Sequence, residues 1–324
     1  MVNRAATAAI VDVYLCFRRL SFLINDLVCR SIPSPGAEGS DMSKAPPAPP
    51  SLEVLRKEID TIDGEVHRLL MARGEIIDRL IQAKQTQEVG SAFRPAREAD
   101  MMRRLVERHR GILPIDTVEG IWRVIISTFT YVQAPFSVHA DVSVGEPAMR
   151  DSARFHFGFV VPYVAHFSAQ AAVEALSTSK GDLALVSATS SRTPWWIGLE
   201  AEGAPKIIAR LPFLERADHP AALPVFVVSR VADNAMVTEV ETWSVRVSGW
   251  NAEIARALAP LADIVAVPDT AFDGAALLVS ISGIGLEKIK TALIEAGASV
   301  RSSALVGSHA TRYTVPPNGA AKSR

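Results

Sequence analysis

The stretch LRKEIDTIDGEVHRLLMARGEIIDRLIQAK, residues 55–84, decides how the first part of the sequence folds. Its apolar residues recur in alternating steps of three and four, as on the seam of a packed helix. Extended back by one turn, the seam consists of Leu52, Leu55, Ile59, Ile62, Val66, Leu69, Arg73, Ile76, Leu80 and Ala83. The pattern predicts one long helix whose apolar seam contains a single cation, Arg73.

Two more helices are predicted after this one. Pro95 suits the first turn of a second helix and Gly111 its end. A third begins near Ile115 and stops before Pro135, which cannot continue a helix. The predicted inward faces are Met101, Met102, Leu105 and Val106 in the second helix, and Val118, Trp122, Ile125 and Phe129 in the third. Residues 51–137 are therefore expected to form an all-α, three-helix domain.

Beyond His139 the pattern changes to short β-rich runs that alternate with helices, which indicates an α/β region. The runs are FGFVVPY, SAQAAVEALS, DLALVSA, KIIARL and LPVFVVSR. The last third predicts a βαββαβ unit, with the strands WSVRVSG, DIVAVPD, AALLVSISG and SVRSSALVG and the helices NAEIARALAPL and LEKIKTALIEAG. The fold class is therefore multidomain, with an α/β domain at 138–233, a βαββαβ domain at 234–316 and a tail at 317–324.

Residues 1–50 are predicted to be a disordered leader, because residues 31–51 are rich in Pro, Ser, Gly and Ala. The run AATAAIVDVYLCF resembles the apolar part of a signal peptide, but Asp12 interrupts it and no cleavage site follows. It is also too short to span a bilayer. Translation starting at Met42 would explain this leader.

Composition excludes several classes of function. The net charge of −1 offers no basic surface for nucleic acid or an anionic membrane. Two cysteines form no disulfide framework, and seven histidines lie far apart without a metal-binding spacing. We expect a cytoplasmic protein without a metal, a nucleic-acid partner or membrane attachment.

The cation in the seam has a neighbour on the same helix face. Lys84 lies eleven residues after Arg73, roughly 20° around the helix and about 16 Å along it. Two cations therefore flank one inward face, as in a pocket for a small anion. The alternative is that Arg73 only sets the register of a coiled coil, where one polar seam residue costs stability and specifies pairing.

Three further polar residues are candidates for the same site. Gln133 extends the inward face of the third helix but could simply belong to a fraying end. Glu98 lies in the first turn of the second helix, where an acid also complements the helix dipole. Arg56 is roughly 25 Å from Arg73 along the helix, so it could approach only from a second, antiparallel copy. Taken alone, Arg56 is typical of a solvated surface residue.

These residues resemble the all-helical class of chorismate mutase from Leu52 to about Ala134. The opening LRKEIDTID matches that family's first-helix motif, and RPARE matches its turn before the second helix. Arg73 matches the family's mid-helix arginine and Lys84 its helix-end lysine. The resemblance implies an intertwined homodimer that converts chorismate, a dicarboxylate, to prephenate without a cofactor.

The resemblance also implies a role for each candidate. Arg73 and Arg56 of the partner subunit would hold the two carboxylates, because a guanidinium donates bidentately. Lys84 and Gln133 would donate to the ether oxygen, and Glu98 would lie beside the ring hydroxyl. The chain departs from some members at Met101 and Met102, in place of an arginine and a glutamate, and at Phe129, in place of a serine. These departures predict weak activity.

The second half resembles a prephenate dehydratase domain followed by an ACT regulatory domain. The carriers of this resemblance are FSAQAAVEALSTSKGDLALVSA and SALVGSHA. The Thr-Arg-Phe motif of dehydratases is replaced by Pro224-Val225-Phe226, which lacks both polar groups, so no dehydratase activity is expected. The polar run ATSSRTPWW could line a pocket or form a turn, and SGIGLEKI could cradle an anion or form a strand-to-helix turn.

Two functional hypotheses follow from these patterns. The first is an isomerase of aromatic amino acid biosynthesis that makes prephenate from chorismate. The alternative is a catalytically reduced regulatory protein that binds an aromatic amino acid or a pathway intermediate. A structural dimerisation module would leave the inward cations without a reason.

Overall fold

A computed structural model of the chain describes residues 50–84, 92–179, 181–230, 238–269 and 274–315, and for Lys84 it describes the backbone alone. The chain divides into two units between Gly64 and Glu65, inside the first helix. The described part of the first unit is the start of that helix. The predicted leader apart from Pro50, the start codon proposed at Met42, the boundary at 233 and the tail at 317–324 lie outside the described residues.

The helical part of the chain contains the three predicted helices: α1 (Leu52–Lys84), α2 (Pro95–Arg108) and α3 (Ile115–Gln133). Ser51 caps α1, because its Oγ accepts a hydrogen bond from the backbone N–H of Val54 at 3.3 Å. Pro95 occupies the first turn of α2, as expected. The prediction of three helices is thus confirmed, although α2 ends before Gly111, which adopts a φ of +101° in the following turn.

The buried face of α3 differs from the predicted one. Val118 is buried, but Trp122, Ile125 and Phe129 are only half-buried. The most deeply buried stripe of this helix is polar instead and consists of Glu119, Arg123, Ser127 and Thr130. The prediction is wrong because charged partners from other parts of the chain compensate these groups, and a periodicity of apolar residues does not register such pairs.

The α/β region begins with two elements that the patterns do not predict, β1 (Val138–Asp141) and α4 (Glu146–Phe157). The strand predicted at FGFVVPY is wrong. There α4 runs to Phe157, Gly158 ends it with a φ of +67°, and the strand starts only at Tyr163. The remaining elements before the last third are β2 (Tyr163–His166), α5 (Ala169–Glu174), β3 (Leu183–Ser187), β4 (Lys206–Leu211), β5 (Leu214–Glu215) and β6 (Val225–Ser229), with 3-10 turns at Ala175–Thr178 and Trp195–Leu199.

The last third has the predicted βαββαβ order of elements. They are β7 (Val240–Ser248), α6 (Ala252–Leu258), β8 (Asp263–Asp269), β9 (Gly274–Ser282), α7 (Leu286–Glu295) and β10 (Ser299–His309), followed by β11 (Tyr313–Thr314). Gly283 and Gly285, in SGIGLEKI, form the turn from β9 into α7. Ile254, Leu258, Ile289 and Leu293 bury one side of each helix in a common core with the strands.

One nine-stranded mixed sheet unites both parts of the α/β region, in the order β2-β1-β3-β6-β4-β10-β7-β9-β8. Strands β2, β1 and β3 are parallel, whereas β3, β6 and β4 pair antiparallel. The last four strands in this order are antiparallel throughout. Every residue of β3 and of β6 is buried, as expected for central strands covered on both faces.

The two parts of the sheet meet where β10 pairs with β4, at Gly307 and Ile207. A Cβ atom on Gly307 would lie 2.2 Å from the carbonyl oxygen of Ile207 and 2.5 Å from its nitrogen, and the φ of Gly307 is +155°. No L side chain fits there. The junction of the sheet therefore depends on the absence of a side chain at position 307.

Among the described residues, no helix combines the length and the apolar character that crossing a bilayer requires.

Candidate active site

The apolar seam of α1 is largely exposed to solvent. Leu52 is 71% exposed, Ile62 is 62% exposed and Val66 is 50% exposed. Leu55, Ile59, Leu69 and Ile76 are also exposed. A stripe of this length facing water is unusual for a helix, which normally buries its apolar face.

Arg73 interrupts this stripe and is itself half-buried. Burial lowers the pKa of its guanidinium, and the neighbouring Arg97 lowers this pKa further. Both effects disfavour the cationic form. Within the described part of the chain, no carboxylate lies within ion-pair distance of Arg73. A half-buried cation beside a second cation favours the binding of an anion at this position.

The ring of Phe129 lies against the guanidinium of Arg73. The guanidinium carbon of Arg73 lies 5.3 Å from the centre of the Phe129 ring, within the range of a cation–π interaction. A Cβ atom at Gly74 would lie 3.8 Å from Phe129 Cε1, an ordinary van der Waals distance, so the ring lies next to α1 at this point. Phe129 thus supplies an aromatic support for Arg73.

Gln133 lies one turn after Phe129 and is half-buried. Its side-chain Nε2 donates a hydrogen bond to the carbonyl oxygen of Phe129 at 2.9 Å. An amide nitrogen carries two N–H groups, so this bond leaves one donor. The contact holds the amide against its own helix while leaving it able to donate to a ligand.

Glu98 is buried and paired within the chain. Its Oε2 accepts a hydrogen bond from Arg123 Nη1 at 2.5 Å, and both side chains are almost completely inaccessible. Arg123 also donates from Nε and Nη2 to the carbonyl oxygen of His156, at 3.2 and 3.0 Å. Because Oε2 of Glu98 is bonded to Arg123, only Oε1 of Glu98 is left to contact a ligand hydroxyl.

The two methionines near Glu98 belong to the protein interior. Met102 is fully buried in a core that includes Leu105 and Ile126, and Met101 packs against the same core. Both positions are therefore apolar because they contribute to packing.

The other two predicted site residues lie on α1. Arg56 is exposed, in the first of the two units. Lys84 is the last residue of the helix, and its side chain lies outside the described residues. The structure therefore brings Arg73 together with Phe129 and places Gln133 one turn further along α3, while Glu98 is paired with Arg123. The roles of all five predicted site residues stay predictions.

A buried hydrogen-bonded pair of Glu119 on α3 and His219 is not predicted from the sequence. Glu119 is fully buried, and its Oε2 accepts from His219 Nε2 at 2.9 Å. The backbone N–H of Ala221 donates to His219 Nδ1 at 3.0 Å, which places the ring proton on Nε2. Glu119 and Arg123 are four residues apart on one helix face, and this spacing of opposite charges is the one sequence signal that could have indicated a buried polar stripe.

A cavity of about 550 Å³ lies in the α/β region. Its lining includes Val173 and Glu174 from α5, Thr193 and Trp195 from the run ATSSRTPWW, and Arg230 after β6. Thr193, Pro194 and Trp195 of that run line this cavity. The earlier polar residues form a turn, in which the backbone N–H groups of Thr189 and Ser190 donate to Ser187 Oγ.

Comparison with known proteins identifies the helical segment. Residues 55–134 match the family model described as chorismate mutase type II. Over 83 residues the chain is 34% identical to the bifunctional chorismate mutase/prephenate dehydratase of Neisseria gonorrhoeae, an alignment that covers 26% of this chain and 22% of that protein. The match thus spans about a fifth of the relative's length.

Among solved structures, the prephenate dehydratase from Streptococcus mutans aligns with 9% identity and a TM-score of 0.31, covering 55% of this chain and 99% of the other.

Proposed function

We propose that this chain, whose residues 55–134 form a chorismate mutase type II domain, converts chorismate to prephenate. The observation that carries the proposal is the half-buried Arg73, which lies within the matched segment, on an apolar stripe and without a carboxylate partner among the described residues. Chorismate brings two carboxylates, the groups that a guanidinium binds best.

The reaction requires few chemical groups from the protein. It is a unimolecular pericyclic rearrangement, so no cofactor, covalent intermediate or obligatory proton transfer is needed. The protein has to select a compact conformer of the substrate and stabilise the negative charge that develops on the breaking ether oxygen. Fixed donors in a site shielded from water are sufficient for both tasks.

In the proposed site, Arg73 and Arg56 of the partner subunit bind the two carboxylates. Lys84 and Gln133 donate to the ether oxygen, and Gln133 keeps an N–H group for this purpose while it bonds to Phe129. Glu98 lies beside the ring hydroxyl through Oε1, since its Oε2 is bound to Arg123. Phe129 supports the guanidinium of Arg73.

A homodimer formed through α1 is part of the proposal. The exposed stripe from Leu52 to Ile76 supports it, because a second copy of the same stripe would remove these side chains from water. Burial of each exposed leucine or isoleucine is worth roughly 1.5 to 3 kcal/mol. Pairing would also shield Arg73 and strengthen its attraction to the substrate.

The mutase proposal is tested by following the loss of chorismate absorbance on addition of the pure full-length chain. We expect turnover by the wild type and a decrease in kcat/KM of roughly a thousandfold for Arg73→Ala, as for the loss of a charged transition-state contact. Arg79→Ala is the matched control, because Arg79 is an exposed arginine on the same helix. Equal rates for wild type and Arg73→Ala would overturn the proposal.

The dimer is tested by analytical ultracentrifugation of Ile62→Lys and Thr61→Lys. Both add one charge at an exposed position of α1, but only Ile62 lies on the apolar stripe. We expect Ile62→Lys to shift the protein to monomer and abolish mutase activity, while Thr61→Lys changes neither. A dimer that persists in Ile62→Lys would exclude the stripe as its interface.

We also propose that residues 234–316, of which 238–269 and 274–315 are described, form an ACT-like unit, and that the chain has no prephenate dehydratase activity. The βαββαβ order and the antiparallel strand order β10-β7-β9-β8 support the first part. For the second part, Val225 and Phe226 are buried within β6, and Pro224 offers no hydroxyl. Formation of phenylpyruvate from prephenate by the pure protein would contradict it.

A further inference from the structure

Arg123 on α3 connects one of the proposed site residues to the α/β region. Its Nη1 donates a hydrogen bond to Glu98 Oε2, and its Nε and Nη2 both donate to the carbonyl oxygen of His156, at 3.2 and 3.0 Å. His156 lies in the last turn of α4. Each nitrogen of the guanidinium therefore has an acceptor, and the two acceptors come from the helical segment and from the α/β region.

Two features of the α/β region favour a cation at this position. The carbonyl groups in the last turn of a helix accept no bond within the helix, and they form the negative end of its dipole. The ring of Phe213, between β4 and β5, has its centre 5.5 Å from the guanidinium carbon of Arg123, within the range of a cation–π interaction. Arg123 is fully buried. These contacts therefore hold its guanidinium in one orientation.

The same guanidinium determines how Glu98 is held. Glu98 is 4% exposed, and a carboxylate buried to this extent needs a cation beside it to compensate for the loss of water. Arg97, the residue before Glu98, is close enough to Arg73 for its charge to lower the pKa of the Arg73 guanidinium. The first turn of α2 therefore lies near the residue proposed to bind a substrate carboxylate, and Arg123 orients Glu98 within that turn.

We propose that Arg123 is a positioning residue for the mutase reaction, and that the α/β region supports the mutase site through the carbonyl of His156 and the ring of Phe213. The proposal rests on the proposed function, in which Glu98 lies beside the ring hydroxyl of chorismate. Arg123 acts through Glu98 alone, because it holds Oε2 and thereby directs Oε1 at that hydroxyl. The α/β region then contributes to turnover through groups that do not touch the substrate.

The test is a double-mutant cycle in the full chain with Arg123→Lys, Glu98→Gln and both changes together. A lysine keeps the charge but lacks the planar fork that bonds Glu98 and the His156 carbonyl at once. We expect each single variant to lower kcat/KM for chorismate by about tenfold, as for the loss of a hydrogen bond to a charged group. The double variant should be no slower than Glu98→Gln. Losses that multiply in the double variant would overturn the proposal, because Arg123 would then act independently of Glu98.

A second substrate separates positioning from general damage to the fold. An analogue of chorismate without the ring hydroxyl makes no such contact with Glu98, so Arg123→Lys should convert it as fast as the wild type does. Glu119→Gln is the matched control, because it disturbs the buried pair with His219 on the same helix and leaves Glu98 untouched. This control should keep kcat/KM for both substrates within about twofold of the wild type. An equal loss on both substrates in Arg123→Lys would overturn the proposal.

Phe213→Leu tests the contribution of the α/β region with a variant that keeps every charge, and it decides the question if Arg123→Lys does not fold. It removes the ring beside Arg123 and should lower kcat/KM for chorismate by about threefold, with no change for the analogue. An unchanged rate with chorismate would exclude support from the α/β region.

The outcomes distinguish this proposal from the mutase proposal. A wild type that does not convert chorismate would overturn both. A wild type that converts chorismate, combined with variant losses that are equal on the two substrates, would overturn the positioning role alone.

Discussion

Apolar residues are mostly exposed to solvent on helix α1 and mostly buried in the nine-stranded sheet. Strands β3 and β6 bury every residue, and the buried clusters among the described residues draw their members from Phe93 onward. In α1 the seam residues stay exposed, and the cation among them is half-buried. The sheet is complete within one chain, whereas the helix has the surface of an element that needs a further partner. Arg73, the residue on which the mutase proposal mainly depends, lies on the helix that needs a further partner.

The largest effect is expected where the sheet is most closely packed. Phe226 is 2% exposed in β6, and its ring centre lies 6.0 Å from that of His309. Phe226→Ala should lower the free energy of unfolding by about 4 kcal/mol, because it removes a buried ring and leaves a cavity. Urea unfolding measures this loss. Phe167→Ala, at a phenylalanine that is 88% exposed, should cost less than about 0.5 kcal/mol, and equal costs would refute the contrast.

The next effect concerns the ion pair that joins α2 and α3. Arg123→Met should lower the free energy of unfolding by about 3 kcal/mol, because it leaves the buried Glu98 carboxylate without a partner. Adding Glu98→Leu should recover most of this loss, since the pair is then removed as a whole. Arg104→Met breaks the exposed pair with Asp100 and should cost under about 1 kcal/mol. A loss for Arg123→Met no larger than that of Arg104→Met would contradict a role for burial.

The third effect is a dependence on pH in the sheet. Burial, followed by the positive charges of Arg210 and Arg312, lowers the pKa of His309 to about 4, while a bond to the carbonyl of Ala310 and the charge of Asp263 oppose this shift. The folded chain keeps His309 neutral, whereas the unfolded chain binds a proton below its ordinary pKa of about 6.5. Stability from this group is therefore fully present above pH 6.5 and is lost as the pH falls towards 4.

Between pH 7 and pH 5 this histidine should account for a loss of about 2 kcal/mol in the free energy of unfolding. Urea unfolding at both values measures it. His309→Leu should show a smaller difference between the two pH values, by about that amount. His156, fully buried with a pKa well below its ordinary value because of burial, Arg123 and His219, remains in both proteins. An unchanged difference in His309→Leu would exclude His309 as a source.

The smallest expected effect concerns the contact between Phe129 and Arg73 in the helical region. Phe129→Leu removes the aromatic face under Arg73 while keeping an apolar side chain, and it should cost about 1 kcal/mol, or about a fivefold decrease in kcat/KM for chorismate. Phe129→Tyr preserves the face and should retain activity. This prediction depends on the mutase proposal, and a Leu variant as active as the Tyr variant would show that the ring does not support the cation.

Prediction from sequence succeeded where the signal is local. The three helices, the βαββαβ order and the position of Arg73 all follow from spacings of a few residues, which the periods of helix and strand translate directly into faces. It failed at FGFVVPY, where Gly158 ends a helix inside an apolar run, and it missed β1 and α4. Helical spacing places Arg73, Glu98 and Gln133 on inward faces. It does not predict that Glu98 pairs with Arg123 or that Gln133 donates to the carbonyl oxygen of Phe129.

By itself the sequence determined that an apolar helix seam contains one arginine and that strands and helices alternate after it. Only the tertiary structure decided that Glu98 pairs with Arg123, that Glu119 pairs with His219 a hundred residues later, and that Gly307 joins two parts of one sheet. The physical reason is the distance along the chain over which each effect acts. Backbone periodicity acts between neighbours on one element, whereas the pairing of buried charges depends on which distant groups the packing brings within hydrogen-bond distance.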